Sequence, residues 1–215
     1  MLIKQLSIFV PSYNQTIEFY KNVIGLNPIR ETTDLTSFSV GKSNFTIHRD
    51  DAGTNYYHFA FNIPPNLFNE AKTWTEARVT LSKEDNQNEI EFVSAKAKSF
   101  YFEDPSGNIV EFIARETTPA AKETDFKSGH LLEISEIGVA TDQMRELINQ
   151  LQAIKINDRN DEAIHYETYL NFFGDYHDGV YIILSPIGRR WIFSDKQAIH
   201  TPVLIETDRG TFTNI

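Results

Sequence analysis

The sequence predicts an α+β protein built from three βαβββ modules, and three observations carry this prediction. Residues 5–11 align with residues 58–64 at an offset of 58 − 5, or 53 residues. Each copy is an apolar, β-prone run that ends at proline and precedes a segment with helical spacing of apolar residues. A third run of the same kind begins near His130.

The first module is predicted as a strand, a helix and a hairpin. The apolar residues of its helix recur at helical spacing, and the helix ends at Gly25, which is a favourable C-cap. Strands at 36–40 and 44–48 then flank a Gly-Lys-Ser turn.

The second module repeats this order. Its helix is expected within 67–77, and its last hairpin has strands at 99–102 and 108–114 joined by an Asp-Pro-Ser-Gly turn. Because the last hairpins of the two modules correspond, Thr46 matches Glu111.

Residues 1–115 are therefore predicted to form one domain of two paired modules. Residues 116–129 contain few apolar side chains and predict a linker. Residues 130–215 predict a third, unpaired module, with a strand at 131–140 and a helix at 142–153. A lone module exposes an apolar sheet face, so we expect a homodimer that pairs the third modules about a two-fold axis.

Composition excludes several classes of function. The net charge of −10 repels a phosphate backbone and argues against nucleic-acid binding. The chain has no cysteine, which excludes disulfides, thiolate metal ligands and a cysteine nucleophile. No apolar run has the length of about eighteen residues that a membrane helix needs, and the first residues lack the features of a signal peptide. We expect a cytoplasmic protein with a small-molecule substrate and no membrane partner.

Two segments carry a resemblance to a known superfamily. Residues 17–26, Ile-Glu-Phe-Tyr-Lys-Asn-Val-Ile-Gly-Leu, resemble the first helix of the vicinal oxygen chelate superfamily, and residues 102–111, Phe-Glu-Asp-Pro-Ser-Gly-Asn-Ile-Val-Glu, resemble its final hairpin. The superfamily includes glyoxalase I, extradiol ring-cleaving dioxygenases, fosfomycin-modifying thiol transferases and metal-free bleomycin-binding proteins. The resemblance implies a glyoxalase-like fold and a divalent-metal-dependent lyase, isomerase, transferase or dioxygenase that acts on a small oxygen-rich substrate.

The resemblance also implies a set of metal ligands. The superfamily takes them from the first and last strands of each module, which here means Gln5, His58, Thr46 and Glu111. Three of these four bind metals: Gln5 through its amide oxygen, His58 through nitrogen and Glu111 through its carboxylate. The expected ion is Zn, Mn, Ni or Fe, with open coordination positions for a substrate.

Four further residues bear on the site. Ser7, two residues after the first expected ligand, and Tyr101, in the last hairpin of the second module, are expected to donate hydrogen bonds to the substrate as catalytic residues. His48 offers a second imidazole on the last strand of the first module, one pleat further along. Glu136 occupies the position in the third module that matches Gln5, and we expect it to be structural.

Two alternatives stay open at this point. A metal-free small-molecule-binding protein of the bleomycin-resistance type is favoured by the imperfect ligand set, because glutamine is an unusual metal ligand. A fosfomycin-type thiol transferase is favoured by the 99–107 segment, although the first ligand of those enzymes is histidine. Glutamine at position 5 argues against ring cleavage, because non-haem iron oxygenases of this type use two histidines and one carboxylate.

Overall fold

The structure is a computed structural model that describes residues 1–215, apart from the side chain of Asp161. Its main elements are short strands and short helices, and α1 continues into a π-helical turn. In chain order they are β1 (Ile3–Val10), α1 (Tyr13–Glu18) with its π-helical turn (Phe19–Val23), β2 (Pro28–Glu31), β3 (Leu35–Val40), β4 (Ser43–Arg49), β5 (His58–Ile63), α2 (Phe68–Glu76), β6 (Ile90–Phe92), β7 (Ala97–Glu103), β8 (Ile109–Arg115), β9 (Glu133–Thr141), α3 (Met144–Ala153), β10 (Asn171–Phe173), β11 (Tyr181–Pro186), β12 (Leu204–Thr207) and β13 (Thr211–Thr213).

The strands form two sheets, which we call sheet A and sheet B. Sheet A has six strands in the order β13-β12-β1-β4-β3-β2, and sheet B has seven in the order β10-β11-β9-β5-β8-β7-β6. This arrangement confirms the predicted α+β class with βαβββ modules. No helix in the part of the chain that the structure describes has both the length and the apolar character needed to cross a membrane.

The modules pair differently from the sequence prediction. Strand β1 pairs antiparallel with β12, from the C-terminal part of the chain, and β5 pairs antiparallel with β9, the first strand of the third module. The prediction that the two modules of residues 1–115 pair with each other in one domain is therefore wrong. Sheet B joins the second and third modules, and sheet A completes the first module with β12 and β13.

The burial of β9 is consistent with its position in the middle of sheet B. All nine residues of β9 are buried, so the strand needs a partner on each side, and it has β5 on one side and β11 on the other. The apolar sheet face of the third module is thus covered within the chain. The homodimer was expected because that face would otherwise be exposed, and this reason no longer applies.

One face of each sheet meets the other in a common core. In β1, Leu6, Ile8 and Val10 point into this core, and β5 contributes alternate residues that include Phe59 and Phe61. The ring of Phe45 in β4 lies 5.0 Å from Phe59 and 5.8 Å from Phe61, measured between centroids. The residues between these core positions consequently lie on the outer face of each sheet.

The Asp-Pro-Ser-Gly turn between β7 and β8 confirms the predicted hairpin and has a structural role. The buried carboxylate of Asp104 accepts hydrogen bonds from the backbone N–H groups of Ser106 (2.9 Å) and Asn108 (3.1 Å). It also accepts one from the Tyr20 hydroxyl at 2.9 Å. The turn thereby ties the last hairpin of the second module to the π-helical turn after α1.

Candidate metal centre

Three ionisable side chains meet on the outer face of sheet B. His58 is on β5, Glu111 on β8 and Glu136 on β9, which are adjacent strands. Ala60 pairs with Glu111 on one side and with Glu136 on the other, so both carboxylates flank this small residue and share its face. One potential ligand atom from each of the three lies within 4.8 Å of the other two, and all three residues are buried.

The imidazole of His58 is oriented by the backbone. Its Nδ1 lies 3.2 Å from the carbonyl oxygen of Ile109, which only accepts hydrogen bonds, so Nδ1 carries the proton. Burial lowers the pKa of His58, and the nearby Glu136 partly opposes this effect. The neutral ring therefore directs the lone pair of Nε2 towards the Glu111 carboxylate, at 3.5 Å.

Glu111 is an incompletely satisfied buried acid. Burial raises its pKa from 4.5 to about 8, and the charge of Glu136 adds to this effect. Its Oε1 atom is buried and has no hydrogen-bond partner among the described residues. A carboxylate in this state is unfavourable unless a cation or a proton joins it.

The carboxylate of Glu136 is held in place by Arg115. Its Oε1 atom forms a close ion pair with the guanidinium of Arg115, whose side chain is also buried. Arg115 is at the end of β8 and reaches Ser135 with the same nitrogen, at 3.4 Å. The second oxygen of Glu136 is therefore available for another partner while Arg115 fixes the direction of the carboxylate.

His58, Glu111 and Glu136, which we call the trio, line a cavity of about 250 Å³. We call this cavity the sheet B cavity. Tyr101, the cross-strand partner of Glu111, lines it, and the ring centroids of Tyr101 and Phe193 stack 4.6 Å apart. Trp191 lies 5.0 Å from His58 and covers Gly138, where a Cβ atom would come within 2.5 Å of the indole. The remaining lining residues are Phe92, Ser94, Ala95, Ile113, Arg115, Arg159, Leu170, Phe172, Ile183, Arg189 and Ile192.

The structure does not bring Gln5 or Ser7 to this site. Both lie in β1 on the outer face of sheet A, where the Gln5 amide donates a hydrogen bond of 3.2 Å to Ser7. Thr46 also lies on that face and bonds Ser37 at 2.9 Å, while His48 stacks on Phe9. The predicted grouping of Gln5 with His58 and Glu111 is thus corrected, because these residues belong to different sheets whose outer faces point away from each other.

Glu136, for which the sequence predicts a structural role, lies beside His58 and Glu111 in the structure. Its register in the third module matches that of Gln5, and this match is the signal in the sequence that points to its position. The predicted pairing of the second module with the first places Gln5 there instead, whereas β5 pairs with β9. With that pairing, the first strands of the second and third modules contribute His58 and Glu136, and the last strand of the second contributes Glu111.

Comparisons with known proteins agree with this architecture. Residues 134–189, about a quarter of the chain, match the family described as "Toxoflavin-degrading enzyme". A search of curated protein sequences gives no match. A Bacillus subtilis structure with a provisional dioxygenase designation has a TM-score of 0.63 and 18% identity, and the alignment covers 88% of this chain and 65% of that one. The alignment thus spans about two-thirds of the length of the matched protein, and the likeness shows a shared fold.

Two further structures align with about half of the chain. Lactoylglutathione lyase from Agrobacterium tumefaciens has a TM-score of 0.44 and 21% identity, with 52% of this chain and 92% of that one covered. The fosfomycin resistance protein FosX from Listeria monocytogenes, in a mutant complexed with Mn(II) and a dihydroxypropylphosphonic acid, has a TM-score of 0.40 and 22% identity, with 52% and 87% covered.

Proposed function

The chain has the fold of the vicinal oxygen chelate superfamily, and on this premise we propose that it is a divalent-metal-dependent enzyme that acts on a small oxygen-bearing molecule. His58, Glu111 and Glu136 are the proposed metal ligands. The observation that carries the proposal is that one potential ligand atom from each of these buried side chains lies within 4.8 Å of the other two. Two buried acids beside a neutral histidine are unfavourable in a protein unless a positive charge compensates them.

The donor atoms fit a divalent cation. A neutral imidazole whose other nitrogen bonds a carbonyl is the usual form of a metal-binding histidine. One imidazole with two carboxylates is a set rich in oxygen, which suits Mn²⁺ and Zn²⁺. It differs from the two histidines and one carboxylate of iron-dependent ring cleavage, so we do not propose that reaction.

The residues of the chain have separable roles in this proposal. When bound, the ion supplies Lewis-acid polarisation of substrate oxygens. The Ile109 carbonyl fixes the ring of His58, and Arg115 fixes the carboxylate of Glu136. Tyr101, next to Glu111, is the proposed hydrogen-bond donor to the substrate, and Trp191 shields the group from water.

A titration tests the proposal directly. We expect the protein to bind one Mn²⁺ or Zn²⁺ ion per chain in calorimetry, and we expect Glu136→Gln to lose this binding. Glu206→Gln is the matched control, because Glu206 is an exposed glutamate beside Gln5 on the outer face of sheet A. Equal affinities of Glu136→Gln and the unaltered protein would contradict the assignment.

One observation favours a metal-free binding protein as the second candidate. The ion pair between Arg115 and Glu136 already neutralises one of the two acids, and a proton on Glu111 neutralises the other. The cavity is then electrically balanced around the trio without an ion. In this case calorimetry detects no metal binding, while small aromatic molecules still bind beside Trp191.

A further inference from the structure

Three arginines line the sheet B cavity, and they differ in how their charges are balanced. Arg115 is paired with Glu136, and Arg159 is paired with Glu162 through two contacts of 2.8 and 3.1 Å. Among the described residues, no carboxylate lies within 4.0 Å of the Arg189 guanidinium. Arg189 thus brings an unbalanced positive charge into the cavity.

Arg189 is held in place by its backbone. Its N–H donates to the carbonyl of Pro186 at 3.4 Å, and its carbonyl accepts from Ala198 at 2.7 Å. One guanidinium nitrogen donates to the carbonyl of Arg190 at 3.1 Å, which leaves most of its N–H donors without a described partner. The side chain is half-buried, so these donors are partly removed from water.

The neighbouring arginine shows that the same loop can satisfy a guanidinium. Arg190 is exposed, yet both of its terminal nitrogens contact the carboxylate of Glu84. Arg189, which lines the cavity and is less exposed, has no such acid among the side chains that the structure describes. The guanidinium of Arg189 has therefore lost part of its hydration without gaining an acid, and its free donors face the space in which a ligand would bind.

The overall charge of the site leads to the same conclusion. With a divalent ion bound, the carboxylates of Glu111 and Glu136 balance the ion, and Arg159 is balanced by Glu162. Arg115 and Arg189 then add one positive charge each. A cavity with this excess favours a negatively charged substrate.

We propose that Arg189 is a specificity-determining residue that binds an anionic group, a carboxylate or phosphonate, on a substrate whose apolar body packs against Trp191 and Phe172. This proposal rests on the proposed function, because it names the substrate class of the same cavity. A guanidinium binds either anionic group through two parallel hydrogen bonds. The aromatic side chains of the cavity supply flat apolar surfaces beside it.

The two tryptophans of the chain provide a direct readout. Trp191 lines the cavity, whereas Trp74 lies against Phe126, so Trp74→Phe leaves one indole that reports on the cavity. Benzoate, phenylphosphonate and the neutral benzamide are titrated into this protein with the metal removed by chelator. We expect benzoate, phenylphosphonate or both to change the Trp191 emission at millimolar concentration.

The Arg189→Met variant tests the role of the charge. We expect it to weaken binding of the anionic probe by at least about tenfold, with little effect on benzamide, because only the anion loses its partner. Arg189→Lys is expected to bind the anion with intermediate affinity, and it keeps the test valid if the methionine variant does not fold. Arg30→Met is the control, because it removes an exposed positive charge from sheet A.

Several results would overturn this proposal. They are the absence of any response to both anions in the Trp74→Phe protein, equal weakening of the anions and benzamide in Arg189→Met, or an unchanged anion affinity. The metal-free titration keeps the two proposals distinguishable. A protein that binds benzoate through Arg189 but binds no Mn²⁺ or Zn²⁺ contradicts the metal-dependent function alone.

Discussion

Sheets A and B have the same strand arrangement around β1 and β5, but the outer faces of these strands differ in chemistry. On sheet B, Ala60 is flanked by Glu111 on one neighbouring strand and by Glu136 on the other. On sheet A, the matching residue Ser7 is flanked by Thr46 and by Leu204. The equivalent of His58, two residues before the flanked position, is Gln5.

This comparison separates the contribution of the fold from that of the side chains. Both sheets align a first strand with the last strand of its module and with an antiparallel partner, so both bring three side chains together. On sheet A these are an amide, a hydroxyl and an alkyl group, which offer no negative charge to a cation. On sheet B they are an imidazole and two carboxylates. A site arises only where the fold and the ligands coincide.

The largest expected effect comes from removing the histidine of this comparison. His58→Ala should weaken Mn²⁺ or Zn²⁺ binding by at least about a hundredfold, or about 3 kcal/mol, because loss of a directly bound ligand exceeds the effect of losing its supporting partner. Calorimetry of the purified variant measures the change.

Gln5→Ala is the matched variant on sheet A. Gln5 has the same place in its module, and we expect its removal to leave metal affinity unchanged. If Gln5→Ala and His58→Ala weaken binding equally, the two faces are not distinct in the way described here.

The second effect is a pH dependence of the metal-free protein. The pKa of Glu111 is raised from 4.5 to about 8 in the folded chain, so the folded state holds a proton that the unfolded state releases. The stabilisation is fully present below pH 4.5 and is lost as pH rises towards 8. We expect the free energy of unfolding to fall steadily over this interval, measured by urea denaturation in chelator.

Glu111→Gln isolates this contribution, because the amide cannot titrate. The variant should lack that part of the pH dependence and should exceed the unaltered protein in stability at pH 8, where Glu111 is half-ionised. Thr46→Val changes the equivalent residue on sheet A and should leave the pH profile as it is. Parallel profiles for the unaltered protein and Glu111→Gln would show that Glu111 titrates normally.

The smallest effect concerns the wall of the cavity. Gly138→Ala places a methyl group 2.5 Å from the indole of Trp191, so the ring must move. We expect a loss of about 1 kcal/mol in stability together with a shift in Trp191 emission. A Cβ atom at Gly129 meets no other atom within 4 Å, so Gly129→Ala should change neither quantity.

Local patterns in the sequence predict much of this molecule. The 53-residue repeat places His58 on the first strand of the second module, and the correspondence of the hairpins places Glu111 on its last strand. The structure brings these two side chains within 3.5 Å of each other. The last hairpin of the second module, with Tyr101 opposite Glu111, also follows from alternation and turn residues. These features follow from patterns within a single module.

Module pairing depends on contacts between distant segments, and local patterns do not determine it. Strand β1 has alternating apolar residues that would suit either β5 or β12 as its neighbour. Because β1 pairs with β12, the edge of β5 is free to pair with β9. This pairing places Glu136, rather than Gln5, beside His58 and Glu111. Local patterns do not predict the ion pair between Arg115 and Glu136 either, because Glu136 lies 21 residues away on a strand of another module.

An anomalous diffraction map from a crystal grown with Mn²⁺ locates the ion itself. We expect one strong peak on the outer face of sheet B, in contact with His58, Glu111 and Glu136, and no peak beside Gln5 on sheet A. An ordered map without density at the three side chains, or with the ion on sheet A, would contradict this expectation.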